Sequence, residues 1–452
     1  MSGAEINVFL DEYRLILLQA GSERVLVHPD GTKARLPRMT VPRGSRVARE
    51  LQQSLRDRFC IDAIILDFIP ALKTSCTFVI AEIASASPSE HFSTASIDDI
   101  PEDELEIESR QLAKSLLTGV RDQGKPFSRL GWMKEAIRWL STEVDGNLLQ
   151  NPGILQYNAG ATFALVRFES HKGRTYWLKA TGTPNHHELP LTRVLASHLE
   201  GYLPKLVAYR LDWNAWVTED FGEPLSNVKT YAAYRQTLVS LIGLQIASAP
   251  HIGELLSCRC ADMRTSTLVA HTPRLTAYLE EAMDRQTSKR AIPLTSIRLR
   301  EIGRIIEDAC AALDALEIPD ALLHNDINLT NILVSGSRCI FIDWAEAAVG
   351  SPFFTFEHLR AQIMCDTVTG AWMPSLDQIY RRQWATCLTE LQVQKGMALA
   401  RLLAIVAHLY GRGDWLTSVV RQSDGFDASA RSMARHMDSA ARLGRFQEAL
   451  CK

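Results

Sequence analysis

Two carboxylates and one carboxamide stand out by type and spacing: Asp326, Asn331 and Asp343. They fall in one stretch, Leu323-His324-Asn325-Asp326-Ile327-Asn328-Leu329-Thr330-Asn331-Ile332-Leu333-Val334, followed by Ile340-Phe341-Ile342-Asp343-Trp344. The apolar runs Ile332 to Val334 and Cys339 to Ile342, joined by Ser335-Gly336-Ser337, predict two short strands with a turn. Asp326 then lies in the loop before the first strand, and Asp343 follows the second. Phosphoryl transfer needs such a set: a carboxylate that orients an attacking hydroxyl and accepts its proton, and an Asn and an Asp that hold magnesium against nucleotide phosphates. The bland alternative is a polar hairpin with accidental spacing. Three residues of fitting type at matched positions weigh against it.

His-x-Asp-x-x-x-x-Asn followed by an apolar strand ending in Asp resembles the catalytic and metal-binding loops of the protein-kinase-like fold. The second loop reads Asp343-Trp344-Ala345 rather than Asp-Phe-Gly. With Gly350 and Pro352 soon after, it resembles the aminoglycoside phosphotransferase family, which is similar to choline kinases and other small-molecule kinases. The resemblance implies an α+β, bilobal protein-kinase-like fold, with a small β-rich lobe and a large helical lobe. It implies ATP and Mg²⁺, with Asp326 catalytic and Asn331 and Asp343 as metal ligands. His324 is expected to brace the backbone around the metal-binding Asp. Asn325 stands where protein kinases have Arg, so a clamp for a phosphorylated activation loop, and with it a protein substrate, is not expected. Asn328 replaces a frequent His of the family. Thr355 replaces a frequent Asp that buttresses the loop, and Glu357 is close enough in sequence to stand in.

The elements that must position this chemistry lie upstream. Ile154 to Phe168 reads as two strands joined at Asn158-Ala159-Gly160-Ala161. In kinase-like folds such a hairpin covers the phosphates with backbone amides. A lysine then sits among strand apolars in Thr175-Tyr176-Trp177-Leu178-Lys179-Ala180. The resemblance makes Lys179 the lysine that bonds the phosphates and Glu188, opening a helix to about Leu199, the acid that holds it. The plain alternative is a surface lysine and an acid favouring a helix N-terminus, and Glu200 is the competing partner. Val207 to Leu211 and Ala215 to Thr218 are further strands. Trp216, Val217, Thr218 and Glu219 resemble the segment whose backbone reads the adenine ring, and Leu155, Val166 and Trp177 offer either walls for a purine or plain core. Helices follow at Tyr231 to Ala249, Thr272 to Met283, Ser296 to Leu316 and through most of 356 to 452, the last with Trp372, Trp384 and Trp415. Among them Glu346, Glu357, Asp366 and Asp377 offer negative charge for a cationic acceptor, or are solvated helix acids.

Residues 1–85 read as a small α/β domain: strands at Tyr13 to Leu18 and Arg24 to Val27 around Gly21-Ser22, a hairpin signal at Asp30-Gly31, a helix from Ser45 to Phe59, and strands at Ile61 to Phe68 and Thr77 to Ile83. This order resembles the Nudix hydrolase fold, and Gly44 and Glu50 have the spacing that opens the Nudix box. Where that family has Arg-Glu-x-x-Glu-Glu, this chain has Arg58-Phe59-Cys60-Ile61-Asp62-Ala63. One aspartate is too little charge for magnesium hydrolysis of a diphosphate. The expectation is a Nudix-like scaffold without hydrolase activity that senses a ligand or docks a protein partner, or else an unrelated α/β domain. Residues 86–128, with Ser85 to Ser89 and the acidic run Asp98 to Glu104, are expected to be a linker. Its helix runs from those acids to Leu117 and ends near Gly119, with the acid run a solvated face. Residues 129–222 form the small lobe with a lead-in helix from Trp132 to Val144, and 223–452 the helical lobe.

Composition excludes other classes. The chain has 452 residues, 46% hydrophobic and 22% charged, with 49 basic against 52 acidic residues and a net charge of −3. It has no basic run fit for nucleic acid. The nine cysteines are scattered, and Cys258 and Cys260 have no second pair to complete a zinc site, so reduced thiols are expected. The N-terminus lacks the pattern of a signal peptide, and stretches such as Ala398 to Leu409 are too short to span a bilayer. A cytoplasmic protein with no membrane contact is expected. The sum is an ATP-dependent small-molecule phosphotransferase acting on a hydroxyl of an amino-sugar or amino-alcohol. The alternative is a pseudokinase-type nucleotide-binding module.

Overall fold

The computed structural model describes residues 9–19, 22, 24–30, 33–72, 76–83, 92–118, 126–144, 152–411 and 424–450. Gly21, Gly31, the Ser85 to Ser89 run, Gly119 and Trp415 lie outside them. The chain divides into two units, Met1–Leu189 with Lys205–Asp220, and Pro190–Pro204 with Phe221–Lys452.

The first unit is built on two sheets. Strands β1 (Leu10–Gln19), β2 (Arg24–Asp30), β3 (Lys33–Arg35) and β4 (Arg38–Pro42) precede helix α1 (Val47–Phe59), then come β5 (Ala63–Pro70), β6 (Thr77–Ile83) and β7 (Ser93–Ser96). The sheet runs β3-β2-β1-β6-β5, with β4 also on β1 and β7 on β2. Among the described residues of this sheet only β1 and β6 pair in parallel, Tyr13 opposite Thr77 through Gln19 opposite Ile83. Helices α2 (Ile107–Leu117) and α3 (Trp132–Glu143) lead to the second sheet. Its strands are β8 (Gly153–Asn158), β9 (Ala164–Glu169), β10 (Thr175–Ala180), β11 (Leu206–Arg210) and β12 (Ala215–Glu219), antiparallel in the order β11-β12-β10-β9-β8. Helix α4 (Glu188–His198) follows β10; its first two residues belong to this unit and the rest to the second.

Successive strand residues point to opposite faces, and the first sheet buries both. Leu15, Leu17, Val79 and Ala81 pack on Ala48, Leu51 and Leu55 of α1. Ile16, Leu18, Phe78 and Ile80 share a second cluster with Trp132, Met133 and Leu140 of α3 and with Val166, Phe168, Leu178 and Val217 of the other sheet. Residues expected as a separate domain (1–85), a linker (86–128) and a small lobe (129–222) thus share one core. The linker expectation is corrected: β7 pairs with β2, and Leu105, Ala113 and Phe127 are buried in that core. The helix predicted from the acidic run begins only at Ile107, because Glu104 and Glu106 are held elsewhere, Glu104 by Arg38 (2.5 Å) and Glu106 by the Leu72 amide (2.8 Å). Both acids are buried, whereas Asp98, Asp99, Glu102 and Asp103 of the run are exposed, as expected of a solvated face.

An edge strand leaves backbone groups in want of partners. On β5 one side chain supplies them. Gln156 of β8, wholly buried, donates to the Ile65 carbonyl (2.9 Å) and accepts from the Ile65 amide (2.7 Å). Gln52 of α1 accepts from the Gln156 amide and donates to the Ala63 carbonyl, each at 3.0 Å.

The second unit contains β13 (Glu223–Pro224), α5 (Tyr231–Ser248), α6 (Ile252–Ser257), β14 (Ala261–Asp262), α7 (Thr265–Asp284), α8 (Ser296–Asp314), β15 (Ala321–His324), β16 (Ile332–Ser335), β17 (Arg338–Phe341) and β18 (Ala347–Gly350). Helices α9 (Phe353–Met364), α10 (Thr367–Gly370), α11 (Met373–Trp384), α12 (Glu390–Gly411), α13 (Asp424–Ala441) and α14 (Gly444–Leu450) complete it. Thr230 and Thr295 cap α5 and α8 by accepting from the amides of Ala233 and Arg298. Tyr231–Ser257 is long and apolar enough to cross a membrane by length and composition, which the sequence did not lead us to expect of any stretch. Leu238, Leu241, Ile242 and Leu244 of α5 are buried in the helical core, which accounts for that apolar composition. Trp384 is buried and Trp372 packs on the same core. Among the described residues the cysteines are free.

Two measurements probe these packings. Gln156→Leu strands both backbone groups of Ile65 and is expected to cost about 2–4 kcal/mol. An unchanged denaturation midpoint would show that the clasp holds nothing. Within the helical unit, burial and the nearby His408 push His358 down from 6.5 to about 4, and its Nε2–H donates to the Ala404 carbonyl (3.0 Å). The depressed value means that the unfolded chain binds the proton first. This contribution is therefore complete above pH 6.5 and is lost as pH falls toward 4, about 3 kcal/mol in all. His358→Gln is expected to flatten the acid limb of a stability-against-pH curve.

Candidate active site

In the sheet-rich unit, Lys179 lies on β10, the middle strand, opposite Leu165 of β9 and Trp216 of β12. Its ammonium is bonded to the carboxylate of Glu188 and lies 5.7 Å from the Trp216 ring centre. The side chains are 16% and 2% exposed, so this is a buried ion pair, not a surface lysine beside a helix acid. The turn before α4 aims the acid: Asn185 N–H donates to the Gly182 carbonyl (2.7 Å) and Glu188 N–H to the Asn185 carbonyl (3.1 Å). Glu200, the competing partner, is exposed past the end of α4.

Asn158, Ala159 and Gly160 form the start of the turn between β8 and β9, with Asn158 opposite Leu165. Gly182 packs so closely on Thr162 of this turn that a Cβ there would come within 2.6 Å of the threonine Cβ. Val166 is core, whereas Leu155 and Trp177 are half-buried. Trp177 donates its indole N–H to Asp220 (2.5 Å) and lies 4.8 Å from the Tyr157 ring.

The place expected for adenine is the last part of a strand inside the sheet. Trp216, Val217, Thr218 and Glu219 belong to β12, an inner strand flanked by β10 and β11. The Glu219 amide donates to the Lys205 carbonyl and the Asp220 amide to the Thr175 carbonyl, each at 3.0 Å. Groups inside such a strand are committed to its neighbours, which leaves its end, at Glu219 and just beyond, for a base.

The helical unit brings the other three residues together at one hairpin. β16 and β17 pair with Ile332 opposite Phe341, and the Ile342 amide donates to the Asn331 carbonyl (3.0 Å). Asn331 and Asp343 therefore leave the same end of the hairpin. The Asn331 amide nitrogen donates to the Asp326 carboxylate (3.1 Å) and to its backbone carbonyl (3.0 Å). That orientation leaves the amide oxygen of Asn331 for a cation. A magnesium ion takes oxygen ligands, one or two carboxylates and the rest from water or phosphate, so Asn331 Oδ1 and the Asp343 carboxylate fit it.

Asn328 is a second support, one that the sequence showed only as a missing His. Its amide nitrogen donates to Asp326 Oδ1 (3.3 Å), while its oxygen accepts from the amides of Thr330 (3.0 Å) and Asn331 (3.1 Å). The signal available was an Asn two positions before Thr330, the pattern of a side chain that closes its own turn.

His324 Nε2–H donates to the Ile342 carbonyl (2.8 Å), and its ring lies 4.6 Å from that of Trp344, so it grips the chain on both sides of Asp343. Asp343 itself has φ +67°, a left-handed conformation uncommon outside glycine. Such strain, of order 1–3 kcal/mol, persists where surroundings over-determine it. Thr355 on α9 accepts from the His324 amide (3.1 Å) through its hydroxyl and is buried. It thus does the buttressing for which an Asp was expected. Glu357 does not stand in for that Asp. It pairs with Arg360 (3.1 Å), and burial holds its carboxyl above the usual range. Gly350 passes so close to Met263 that a Cβ would lie 2.8 Å from its carbonyl oxygen.

Of the four acids considered for a cationic acceptor, three already have cations. Asp366 pairs with Lys229 (2.7 Å), which holds its carboxyl below the usual range, Asp377 pairs with Arg381 (2.8 Å), and Glu357 with Arg360. Glu346, next to Trp344, is half-buried.

Comparison with known proteins gives the family. The model of the phosphotransferase enzyme family matches residues 153–391, more than half of the chain. No curated protein matches in sequence. Among solved structures, a choline/ethanolamine kinase family protein from Mesorhizobium loti is 13% identical, with a TM-score of 0.48 over 70% of this chain and 97% of that one. An ethanolamine kinase from Plasmodium vivax is 16% identical, with a TM-score of 0.48 over 78% and 98%. An aminoglycoside phosphotransferase from Alicyclobacillus acidocaldarius is 16% identical, with a TM-score of 0.42 over 68% and 94%. On the extent of the family match, this α+β chain, with its sheet-rich and helical units, belongs to the phosphotransferase enzyme family.

Proposed function

We propose that this phosphotransferase uses ATP and transfers its γ-phosphate to a hydroxyl of a small acceptor, an amino-sugar or amino-alcohol being the class to try first. The observation that carries the proposal is the carboxylate of Asp326, fixed by the amide nitrogens of Asn331 and Asn328 beside a hairpin that ends in Asp343. Held in this way, Asp326 keeps a lone pair for the acceptor hydroxyl. It orients the oxygen and takes its proton as the new O–P bond forms and the bond from the γ-phosphorus to the bridging oxygen of ADP breaks. Asn331 and Asp343 would hold magnesium, which would supply neutralisation of the phosphate charge. Lys179, gripped by Glu188, presents an ammonium to the phosphates, and Asn158, Ala159 and Gly160 present backbone. The end of the stretch Trp216, Val217, Thr218 and Glu219, with the residues that follow it, reads the base through backbone groups. Most of the rate comes from positioning and charge complementarity.

The roles separate in kinetics. Asp326→Ala is expected to lower kcat about 10³-fold while Mg-ATP still binds. Asp343→Ala is expected to weaken Mg-ATP binding at least about tenfold, and Lys179→Ala to weaken it in a way that extra magnesium does not rescue. ATP turnover measured across a panel of amino-alcohols and amino-sugars tests the acceptor class. Full activity in Asp326→Ala would remove its role. Tight Mg-ATP binding with no turnover on any acceptor would favour the pseudokinase alternative.

A further inference from the structure

The hairpin turn Asn158 to Phe163, assigned above to the phosphates, is held from outside by residues of the N-terminal sheet and the segment after it. Arg46, immediately before α1, donates from its guanidinium to Asn158 Oδ1 (2.9 Å). Ala159 packs on the apolar cluster that Leu51 and Leu55 of α1 form with the first sheet. The Phe127 amide donates to the Ala161 carbonyl (3.3 Å). The strand that enters the turn is clasped through Gln156 to Ile65. A turn of small residues with one glycine has little stiffness of its own, so these attachments set its shape.

Charge points the same way. Arg43 is matched by Asp11 (2.8 Å) and Arg56 by Asp62 (2.8 Å). Arg46 and Arg49 meet no carboxylate among the described residues: Arg46 reaches the Asn158 amide oxygen, and Arg49 lies 5.2 Å from the Tyr157 ring centre. Two unneutralised guanidinium groups beside a turn of backbone amides favour a phosphate there.

We propose that Arg46 is a positioning residue for the nucleotide. It holds Asn158, and through it the turn, in the shape that receives the triphosphate, so the N-terminal sheet serves as scaffold for the nucleotide loop rather than as a separate sensing or docking domain. This rests on the phosphotransferase function proposed above.

The test uses the full chain and compares wild type, Arg46→Ala, Arg46→Lys, Asn158→Ala and the Arg46→Ala/Asn158→Ala pair. Each is titrated with Mg-AMP-PNP and with adenosine, and its unfolding midpoint is recorded without ligand. Arg46 is exposed, so the midpoint is expected to stay within about 1 °C. Arg46→Ala is expected to weaken Mg-AMP-PNP about tenfold and leave adenosine unchanged, with Arg46→Lys recovering part of the loss. Asn158→Ala should show the same loss, and the pair no more than either alone, because the two act as one contact. Equal Mg-AMP-PNP affinity in wild type and Arg46→Ala would overturn the proposal, as would fully additive losses or a parallel loss of adenosine binding. A wild-type chain that does not bind Mg-AMP-PNP would overturn the phosphotransferase mechanism itself, and this proposal with it.

Discussion

A carboxylate that must meet an incoming hydroxyl has to be kept from turning toward a cation held close by. At position 326 two carboxamides do this, through the nitrogens of Asn331 and Asn328. Hydrogen bonds to a charged group are worth about 1.5–3 kcal/mol each, enough to fix one rotamer. The same bonds set the direction of both amides, because an amide that gives its nitrogen to Asp326 presents its oxygen elsewhere. For Asn331 that oxygen is the one that would face the cation of the proposed mechanism. For Asn328 it accepts from the backbone of Thr330 and Asn331 and closes the loop on itself. Orientation of the base and orientation of the metal ligand are therefore one constraint.

That constraint passes outward through His324. The imidazole ties the loop before Asp326 to Ile342, one residue before the strained Asp343, and the backbone of the same histidine is tied to Thr355 on α9. A buried threonine hydroxyl brings no charge into the core, whereas an aspartate at the same position would need a compensating cation. The exchange of Asp for Thr at 355 thus changes the electrostatics behind the loop and keeps its mechanical support.

Much of the β16–β17 hairpin at the candidate site was legible from sequence, for a local reason. Asp326, Asn331 and Asp343 lie within one loop–strand–turn–strand run, and the register of so short a hairpin follows from its turn. Lys179 and Glu188 were legible because a lysine among strand apolars needs a partner and a nearby helix start offers one. What failed to show was set by contacts distant in sequence. Trp216 to Glu219 looked like the end of a strand, and only the pairing with β11 makes it interior. Glu104 looked solvated because Arg38 is far away along the chain. Asp366 looked available until the fold brought Lys229 to it. The first sheet has near-continuous apolar runs, such as Leu15 to Leu18 and Phe78 to Ala81, that announced burial on both faces. They did not announce that α2, α3 and the second sheet are what covers the second face.

That doubly covered sheet has a consequence for biosynthesis. Residues on its second face, Ile16, Leu18, Phe78 and Ile80, emerge from the ribosome well before the partners that cover them, the last of which is Val217. During that interval the nascent chain carries an apolar surface that its own α1 cannot shield. Such a surface invites chaperone attendance or sticking to neighbours during translation. The order of the chain thus leaves this face waiting for its cover until β12 has been made.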